Sequence, residues 1–97
     1  MKYKLTALKY FQKQIEKLDK QSRRLIHEKI QLIKKNPYRY KKIHSKNYSK
    51  VFRIRFNIQN KETRLIYAII KPNIILVCLL DRKKDYKDLE KYLKQLE

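Results

Sequence analysis

The sequence has no glycine and no tryptophan, and it has few prolines, cysteines and histidines. Without glycine, the chain cannot form the glycine-rich loops that hold phosphates in Walker-type and dinucleotide-binding proteins. The single cysteine, Cys78, excludes an internal disulfide bond. The two histidines, His27 and His44, lie too far apart in sequence for the spacing of zinc ligands. The sequence therefore offers no recognisable cofactor or metal site.

Long apolar segments are also missing. The longest apolar run, Ile74 to Leu80, is far too short to span a bilayer, and the N-terminus lacks the apolar segment of a signal peptide. With 97 residues, of which 42% are hydrophobic, the chain is long enough for one modest core. We expect a soluble cytoplasmic protein with a single domain over residues 1–97.

Acidic residues are scarce. The chain has 9 Asp and Glu against 27 Lys and Arg, which gives a formal net charge of +18. A lysine-rich coding bias or a thermophile surface would explain many lysines, but thermophile surfaces usually balance Lys with Glu. The imbalance instead favours a polyanionic partner, which could be nucleic acid, an anionic membrane or an acidic protein.

Within the segment Lys50–Asn57, apolar and basic residues alternate strictly from Phe52 to Phe56. Side chains on a strand alternate between faces, so this pattern predicts a half-buried strand with an apolar side and a cationic side. Arg53 and Arg55 share the cationic side, and the strand itself carries no acid. Like charges held close together are best tolerated when an anion binds to them. The strand is therefore a candidate floor for a phosphate-binding site.

The N-terminal part predicts a short strand followed by two helices. Residues Tyr3 to Leu5 are weakly strand-like, and apolar residues then recur at helical spacing from about Ala7. Asp19 can end the first helix and cap the second. The second helix must end near Asn36, because Pro37 disfavours helical geometry in the residue before it. The short joint predicts an antiparallel helical hairpin.

Residues Pro37 to Lys50 form a predicted polar loop in which basic and aromatic residues alternate. This mixture suits single-stranded RNA, because rings stack on bases while cations contact phosphates. Tyr38 or Tyr40 could equally hold the loop against the core. The candidate RNA-binding residues of the chain are Arg39, Lys41, Lys42, Lys46, Lys50 and Lys83.

The second half predicts a three-stranded meander and a last helix. A two-residue turn at Asn60-Lys61 would place Asn57 opposite Arg64, and Arg64 diagonal to Arg55. The apolar run that contains Cys78 predicts a central strand buried on both faces, so we expect an inert core thiol there. Leu89, Leu93 and Leu96 then form the apolar stripe of a C-terminal helix, together with Tyr86.

This order of elements resembles the RelE/ParE toxin superfamily over most of the chain. The matching positions are Asn36-Pro37, the strand Phe52-Arg53-Ile54-Arg55, Arg64-Leu65-Ile66-Tyr67, and Arg82 with Tyr86. The resemblance implies an α+β fold with an N-terminal strand, a helical hairpin, a three-stranded antiparallel meander and a C-terminal helix. The positions include those that RelE-type toxins use on RNA, which ParE-type members generally lack.

The resemblance implies a metal-independent endoribonuclease that enters the ribosomal A site and cuts mRNA. In such toxins a 2′-hydroxyl attacks the adjacent phosphate and leaves a 2′,3′-cyclic phosphate. Carried over to this sequence, Arg53, Arg55 and Arg64 would hold the scissile phosphate. Arg82 would lie near the leaving 5′-oxygen, and Tyr86 would orient the attacking nucleotide.

The general base departs from the family pattern. Some RelE-type toxins have lysines where this chain has Arg53 and Arg55, and arginine keeps its proton in proteins. The base is then Tyr86, which we favour, His44, or no side chain at all.

Two other functions remain open at this stage: a ParE-like poison of a topoisomerase, and a non-catalytic basic protein that binds RNA or ribosomes. Under either toxin interpretation we expect an acidic, RelB-like antitoxin that folds along the toxin surface. We expect the two proteins to form a heterotetramer.

Overall fold

The computed structural model describes residues 3–81 and 89–96 of the chain. In these ranges the helices and strands follow in the order β1 (Lys4–Ala7), α1 (Lys9–Glu16), α2 (Lys20–Lys35), β2 (Lys41–Ile43), β3 (Val51–Ile58), β4 (Lys61–Ile70), β5 (Asn73–Asp81), α3 (Leu89–Leu93) and a 3-10 turn (Lys94–Leu96). The predicted α+β fold is confirmed. Within the same ranges, no helix is both long enough and apolar enough to cross a bilayer.

The strands form one five-stranded sheet in the order β1-β5-β4-β3-β2. The meander of β3, β4 and β5 is antiparallel, as predicted, whereas β1 runs parallel to β5. The strand β2 was not predicted: Lys41–Ile43 pairs with the outer edge of β3, inside the segment that the sequence presented as a loop. Its three residues are too few to show a strand pattern on their own.

The two helices α1 and α2 cover one face of the sheet. Phe11, Ile26 and Ile33 are almost fully buried there against Phe52 and Tyr67 of the sheet. Tyr67 donates a hydrogen bond of 2.6 Å from its hydroxyl to the carbonyl of Pro37, which fixes the exit of α2 onto the sheet. Burial raises the pKa of the Tyr67 hydroxyl well above its ordinary value.

The end signals of α2 are confirmed. Asp19 caps the helix, because its Oδ1 accepts a hydrogen bond of 2.8 Å from the backbone N–H of Ser22. Hydrogen bonding from the Ser22 side chain, and then from its backbone N–H, lowers the pKa of the Asp19 carboxyl below its ordinary value. The helix ends with Asn36 as its C-cap, directly before Pro37.

The helix α3 covers part of the opposite face of the sheet. Leu89 and Leu93 are buried against Ile66, Ala68 and other apolar residues of β4 and β5. The apolar residues of β4 beside Arg64 are therefore covered by a helix. Burying two leucines contributes about 1.5–3 kcal/mol each to the docking of this short helix.

The strand β5 is buried between these two layers. Cys78 is fully buried on the α3 side, and burial raises the pKa of its thiol to about 12. The prediction of an inert core thiol is confirmed.

The register of the β3–β4 hairpin differs from the prediction. The turn is Gln59-Asn60, both with positive φ (52° and 64°), so Asn57 lies opposite Glu62 and not opposite Arg64. The sequence correctly predicted that Asn60 belongs to the turn, but it did not indicate that Gln59 is the other turn residue and adopts a left-handed conformation.

Candidate nucleic-acid interface

The cationic side of β3 lies on the same face of the sheet as α3. Arg53 is opposite Ile66, and Arg55 is directly opposite Arg64. Opposite residues on paired strands project to the same face, so the three arginines share it. The predicted common face is therefore confirmed, with Arg64 beside Arg55 and not diagonal to it.

Lysine 41 adds a fourth cation to this face. Lys41 is the partner of Arg53 across the β2–β3 ladder, and its neighbour Ile43 packs into the apolar cluster below α3. We call Lys41, Arg53, Arg55 and Arg64 the arginine face. The sequence placed Lys41 in a loop, so its position beside Arg53 could not be anticipated.

An acidic residue that the sequence analysis missed lies at this face. Glu62 accepts a hydrogen bond of 3.2 Å from Arg55, and the two side chains form an ion pair. The Arg55 side chain nevertheless remains 57% exposed. Glu62 shares the face of Arg64 in either register, because the two are two residues apart on β4, but only a turn at Gln59-Asn60 brings Glu62 diagonal to Arg55.

The spacing of the arginine face suits a phosphate group. The backbone N–H of Ile69 donates a hydrogen bond of 2.9 Å to the carbonyl of Lys50, so these two residues form a hydrogen-bonded pair. Hydrogen-bonded and non-hydrogen-bonded pairs alternate along an antiparallel ladder, which makes Arg55 and Arg64 a non-hydrogen-bonded pair. Such pairs bring the Cα atoms to about 4.5 Å, so two guanidinium groups can reach the same anion. Guanidinium groups also keep their charge at any physiological pH.

The other predicted site residues have different positions. Lys42 is opposite Phe52 and projects to the helical side of the sheet. Lys50 lies before the start of β3, with its Nζ 5.8 Å from the centroid of the Tyr38 ring. Arg39 and Lys46 are exposed, and the Lys46 backbone N–H donates to Glu90 of α3. Of the candidate RNA-binding residues that the structure describes, only Lys41 joins the arginine face.

Tyr38 and Tyr40, two of the three tyrosines in the predicted loop, contact the core. Tyr38 packs edge-on against Phe52 with ring centroids 5.8 Å apart, and it remains 42% exposed. Tyr40 is half-buried against the α1–α2 core. His27 and His44 are both exposed.

Three predicted positions lie outside the described residues: Arg82, Lys83 and Tyr86. The described part of β5 ends at Asp81, which pairs with Thr63, the residue next to Arg64. In residues 3–81 and 89–96, no three His, Cys, Asp or Glu side chains come together as a metal site would require.

The chain is an α+β protein in which a mixed sheet carries two helices on one face, and a short helix and a row of cations on the other. Its sequence matches no protein-family profile and no curated protein. Solved structures of the E. coli RelE toxin do match over nearly the whole chain. An arginine-to-alanine double variant of RelE in the free state has a TM-score of 0.70 at 17% identity, covering 99% of this chain and 96% of that one.

Two solved structures of RelE bound to its antitoxin also match this chain. The intact E. coli RelBE toxin–antitoxin complex has a TM-score of 0.66 at 16% identity, covering 84% of this chain and 99% of the other. A RelE variant in complex with a RelB peptide has a TM-score of 0.68 at 16% identity, covering 94% of each chain. The chain has the RelE toxin fold.

Proposed function

We propose that this chain is the toxin of a type II toxin–antitoxin pair and that it cuts mRNA in the ribosomal A site. The observation that carries the proposal is the direct opposition of Arg55 and Arg64, with Arg53 and Lys41 on the same face. A metabolic enzyme with a small neutral substrate has no use for such a concentration of permanent charge. The RelE fold supports the same function.

In the proposed reaction, the 2′-hydroxyl oxygen of one nucleotide attacks the phosphorus of the next phosphodiester. The bond from phosphorus to the 5′-oxygen breaks, which leaves a 2′,3′-cyclic phosphate and a free 5′-hydroxyl. Arg53, Arg55 and Arg64 offset the charge that builds up on the phosphorane oxygens. Arg82, the residue after Asp81 in the chain, would hydrogen-bond the leaving 5′-oxygen and offset its developing charge, and that oxygen takes its proton from water, because arginine keeps its own proton. The positive charges of these groups serve the role that a metal ion serves in other nucleases.

The base that accepts the 2′-hydroxyl proton is Tyr86 in this proposal. The arginines cannot accept a proton at neutral pH. The ladder argues against His44, because Ile43 pairs with Val51 and His44 continues away from Arg55. The offset of five residues along the strand amounts to roughly 16 Å.

The remaining basic residues would hold the toxin on its substrate complex. Arg39, Lys42, Lys46 and Lys50 lie in or beside the segment that contains β2, outside the arginine face. Lys83 lies outside the described residues and is proposed with them from the sequence alone. They would contact RNA phosphates of the ribosome and the message, which places the protein in the cytoplasm. This part of the proposal predicts binding that weakens steeply as salt is added.

We also propose an antitoxin partner. The RelE structures with RelB or its peptide support one, and the net charge of +18 implies an acidic chain. Such a partner would fold on binding and hide the arginine face. We expect a heterotetramer, and a heterodimer at all concentrations in sedimentation would contradict that assembly.

The experiment that tests the proposal is primer extension on an mRNA incubated with purified protein, with and without programmed ribosomes. Cuts confined to A-site codons, and present only with ribosomes, would support the proposed function. The cut ends should carry a 2′,3′-cyclic phosphate, which blocks 3′-end ligation until it is removed by a phosphatase that opens cyclic phosphates.

The two alternative functions, a topoisomerase poison and a non-catalytic RNA-binding protein, predict different results. Absence of cuts in both reactions would contradict the nuclease proposal. A gain of topoisomerase-linked DNA breaks would then indicate a ParE-like poison. Salt-dependent ribosome binding without cleavage would indicate a non-catalytic RNA-binding protein.

A further inference from the structure

A groove runs along the outer edge of β3, next to the arginine face but around the side of the sheet. It encloses about 390 Å³. Its walls are Lys29 and Leu32 of α2, Tyr40 and Lys41 at the start of β2, and residues 53–55 of β3. We call it the edge groove. Its volume is within the range of pockets that hold small ligands.

The lining of the edge groove combines cations with an aromatic ring. Lys29 comes from α2 and Lys41 from β2, and no acidic residue is among the described residues that line it. Tyr40 supplies a half-buried ring, and Leu32 is 42% exposed, although leucine is usually buried. Rings that stack on bases, beside cations that meet phosphates, are the usual chemistry of single-strand binding.

The edge groove is open because β2 is short. The Lys41–Arg53 pair is the last of the β2–β3 ladder, so β2 does not extend beside Arg55. The backbone N–H and C=O groups of successive residues in a strand point alternately to the strands on its two sides. The Lys50 carbonyl points to β4, where it accepts a hydrogen bond from the Ile69 N–H. By this alternation the backbone N–H of Arg55 points to the uncovered edge, where it adds a donor beside the groove.

The edge groove and the arginine face share residues. Lys41, Arg53 and Arg55 belong to both. A single RNA strand whose phosphate lies on the arginine face can therefore continue around the edge of β3 and stay close to basic side chains.

We propose that the edge groove is a binding subsite for the nucleotide that neighbours the cleaved phosphate. Lys29 and Lys41 contact the phosphate of that nucleotide, and its base packs on Tyr40 and Leu32. This inference rests on the proposed function, because it assumes that the arginine face holds an RNA phosphate.

The test measures binding of fluorescent 2′-O-methyl oligouridylates, which cannot be cleaved, by anisotropy. A dinucleotide has one phosphodiester and occupies the arginine face alone, whereas a hexanucleotide also reaches the edge groove. Lys29→Gln is compared with Lys34→Gln, which makes the same charge change on an exposed part of α2 that does not line the groove.

We expect the two variants to bind the dinucleotide equally. On the hexanucleotide, Lys29→Gln should bind about fivefold more weakly than Lys34→Gln at 0.1 M salt, the effect of one lost phosphate contact. The slope of log affinity against log salt should also become shallower by about 0.7 for Lys29→Gln alone. Equal affinities and equal slopes for the two variants would overturn the subsite.

A second pair of variants tests the base contact. Tyr40→Phe retains the ring and should bind the hexanucleotide like the wild type. Tyr40→Leu keeps an apolar side chain but loses the ring, and it should bind at least about fivefold more weakly, as expected for a lost stacking contact. Urea unfolding of both variants identifies any loss of fold. Equal binding by well-folded Tyr40→Leu and Tyr40→Phe would overturn the base contact.

These results are independent of cleavage. If programmed ribosomes are not cut but the hexanucleotide results stand, the nuclease proposal fails while the edge groove stands as an RNA subsite. If ribosomes are cut and the Lys29 and Lys34 variants bind alike, the nuclease stands and the subsite fails.

Discussion

Arg55 of β3 and Arg64 of β4 lie directly opposite each other on the same face of the sheet. Like charges at such positions destabilise a sheet. Glu62 forms an ion pair with Arg55 at 3.2 Å, but both groups remain partly solvated, so this pair offsets only part of the repulsion. A bound phosphate would relieve the rest. Two like charges are therefore held close together, at some cost in stability, at the place where we propose that RNA binds.

Replacing Arg64 tests the function of this pair. Under the proposed mechanism, Arg64→Ala should lower the rate of ribosome-dependent cleavage by roughly 10²–10³, the usual cost of one lost transition-state donor. The unfolding midpoint is measured beside the rate, so that a loss of fold is distinguished from a loss of transition-state stabilisation. The control is Arg24→Ala on the exposed side of α2. An equal loss of cleavage in both variants would show that only net charge matters.

The contact between Glu62 and Arg55 gives a second prediction. Glu62→Gln removes the carboxylate that competes with phosphate for the guanidinium, so affinity for a single-stranded oligonucleotide should rise, by up to about fivefold. Stability should change by about 1 kcal/mol, because the pair is partly solvated, with the Arg55 side chain 57% and the Glu62 side chain 24% exposed. Glu28→Gln makes the same charge change on the exposed side of α2. If both variants gain equally, long-range charge explains the effect and the specific contact does not.

The hairpin turn gives a third prediction, on stability alone. Gln59 has φ 52°, a left-handed conformation that costs residues with a Cβ about 1–2 kcal/mol. Gln59→Gly should therefore unfold at higher urea than Gln59→Ala, with a difference of about 1 kcal/mol. The alanine variant is the matched control, because both substitutions remove the same side chain. Equal stabilities would mean that the turn relaxes to a different conformation.

The same turn explains where the sequence succeeded and where it failed. Strict alternation from Phe52 to Phe56 predicted the strand and its two faces, because a period of two is visible in the residues themselves. The register depends on which two residues make the turn. With no glycine available, nothing local distinguished Gln59-Asn60 from Asn60-Lys61, and tertiary packing of the strands decided it.

The candidate site could likewise be predicted only as far as local sequence patterns determine it. The common face of Arg53, Arg55 and Arg64 was predicted from alternation and is present in the structure. The addition of Lys41 depends on β2, whose three residues become a strand only through pairing with the β3 edge. Such pairing is a long-range contact, and no pattern within a few residues encodes it. For the same reason, Lys29 of the edge groove could not be singled out on α2.

The buried thiol gives a prediction on pH. Burial raises the pKa of Cys78 from 9.0 to about 12, so between these values the unfolded chain releases the thiol proton while the native chain keeps it. Stability should therefore fall as the pH rises above 9, by up to about 1.4 kcal/mol per pH unit from this group. Urea unfolding at pH 8, 9.5 and 10.5 measures the slope.

The control for this prediction is Cys78→Ala. It should cost about 1 kcal/mol at pH 8 through lost packing, and it should show a shallower decline at alkaline pH. The buried Tyr67 hydroxyl, whose pKa is also raised, accounts for a decline that persists in the variant above pH 10. An unchanged slope in Cys78→Ala would exclude the thiol as a source of the alkaline instability.

The last prediction concerns the end of β5. The strand β1 covers β5 only as far as Leu76, and beyond that point the Gln14 side chain takes the place of a neighbouring strand. Its Nε2 donates to the carbonyl of Leu79 at 2.9 Å, and its Oε1 accepts from the Leu79 N–H at 2.7 Å. This double contact holds the backbone three residues before Arg82. Gln14 therefore links the packing of α1 to the segment that we propose for the leaving group.

Gln14→Ala should lower the free energy of unfolding by about 1–3 kcal/mol, because a partly buried donor and acceptor lose their partners. The Leu79 amide should exchange with solvent much faster, since its hydrogen bond is lost. Gln12→Ala is the control: it lies on the same helix and donates a single exposed hydrogen bond to the Ala7 carbonyl. If Leu79 keeps its protection in Gln14→Ala, β5 is held by its other contacts, and α1 has no part in positioning Arg82.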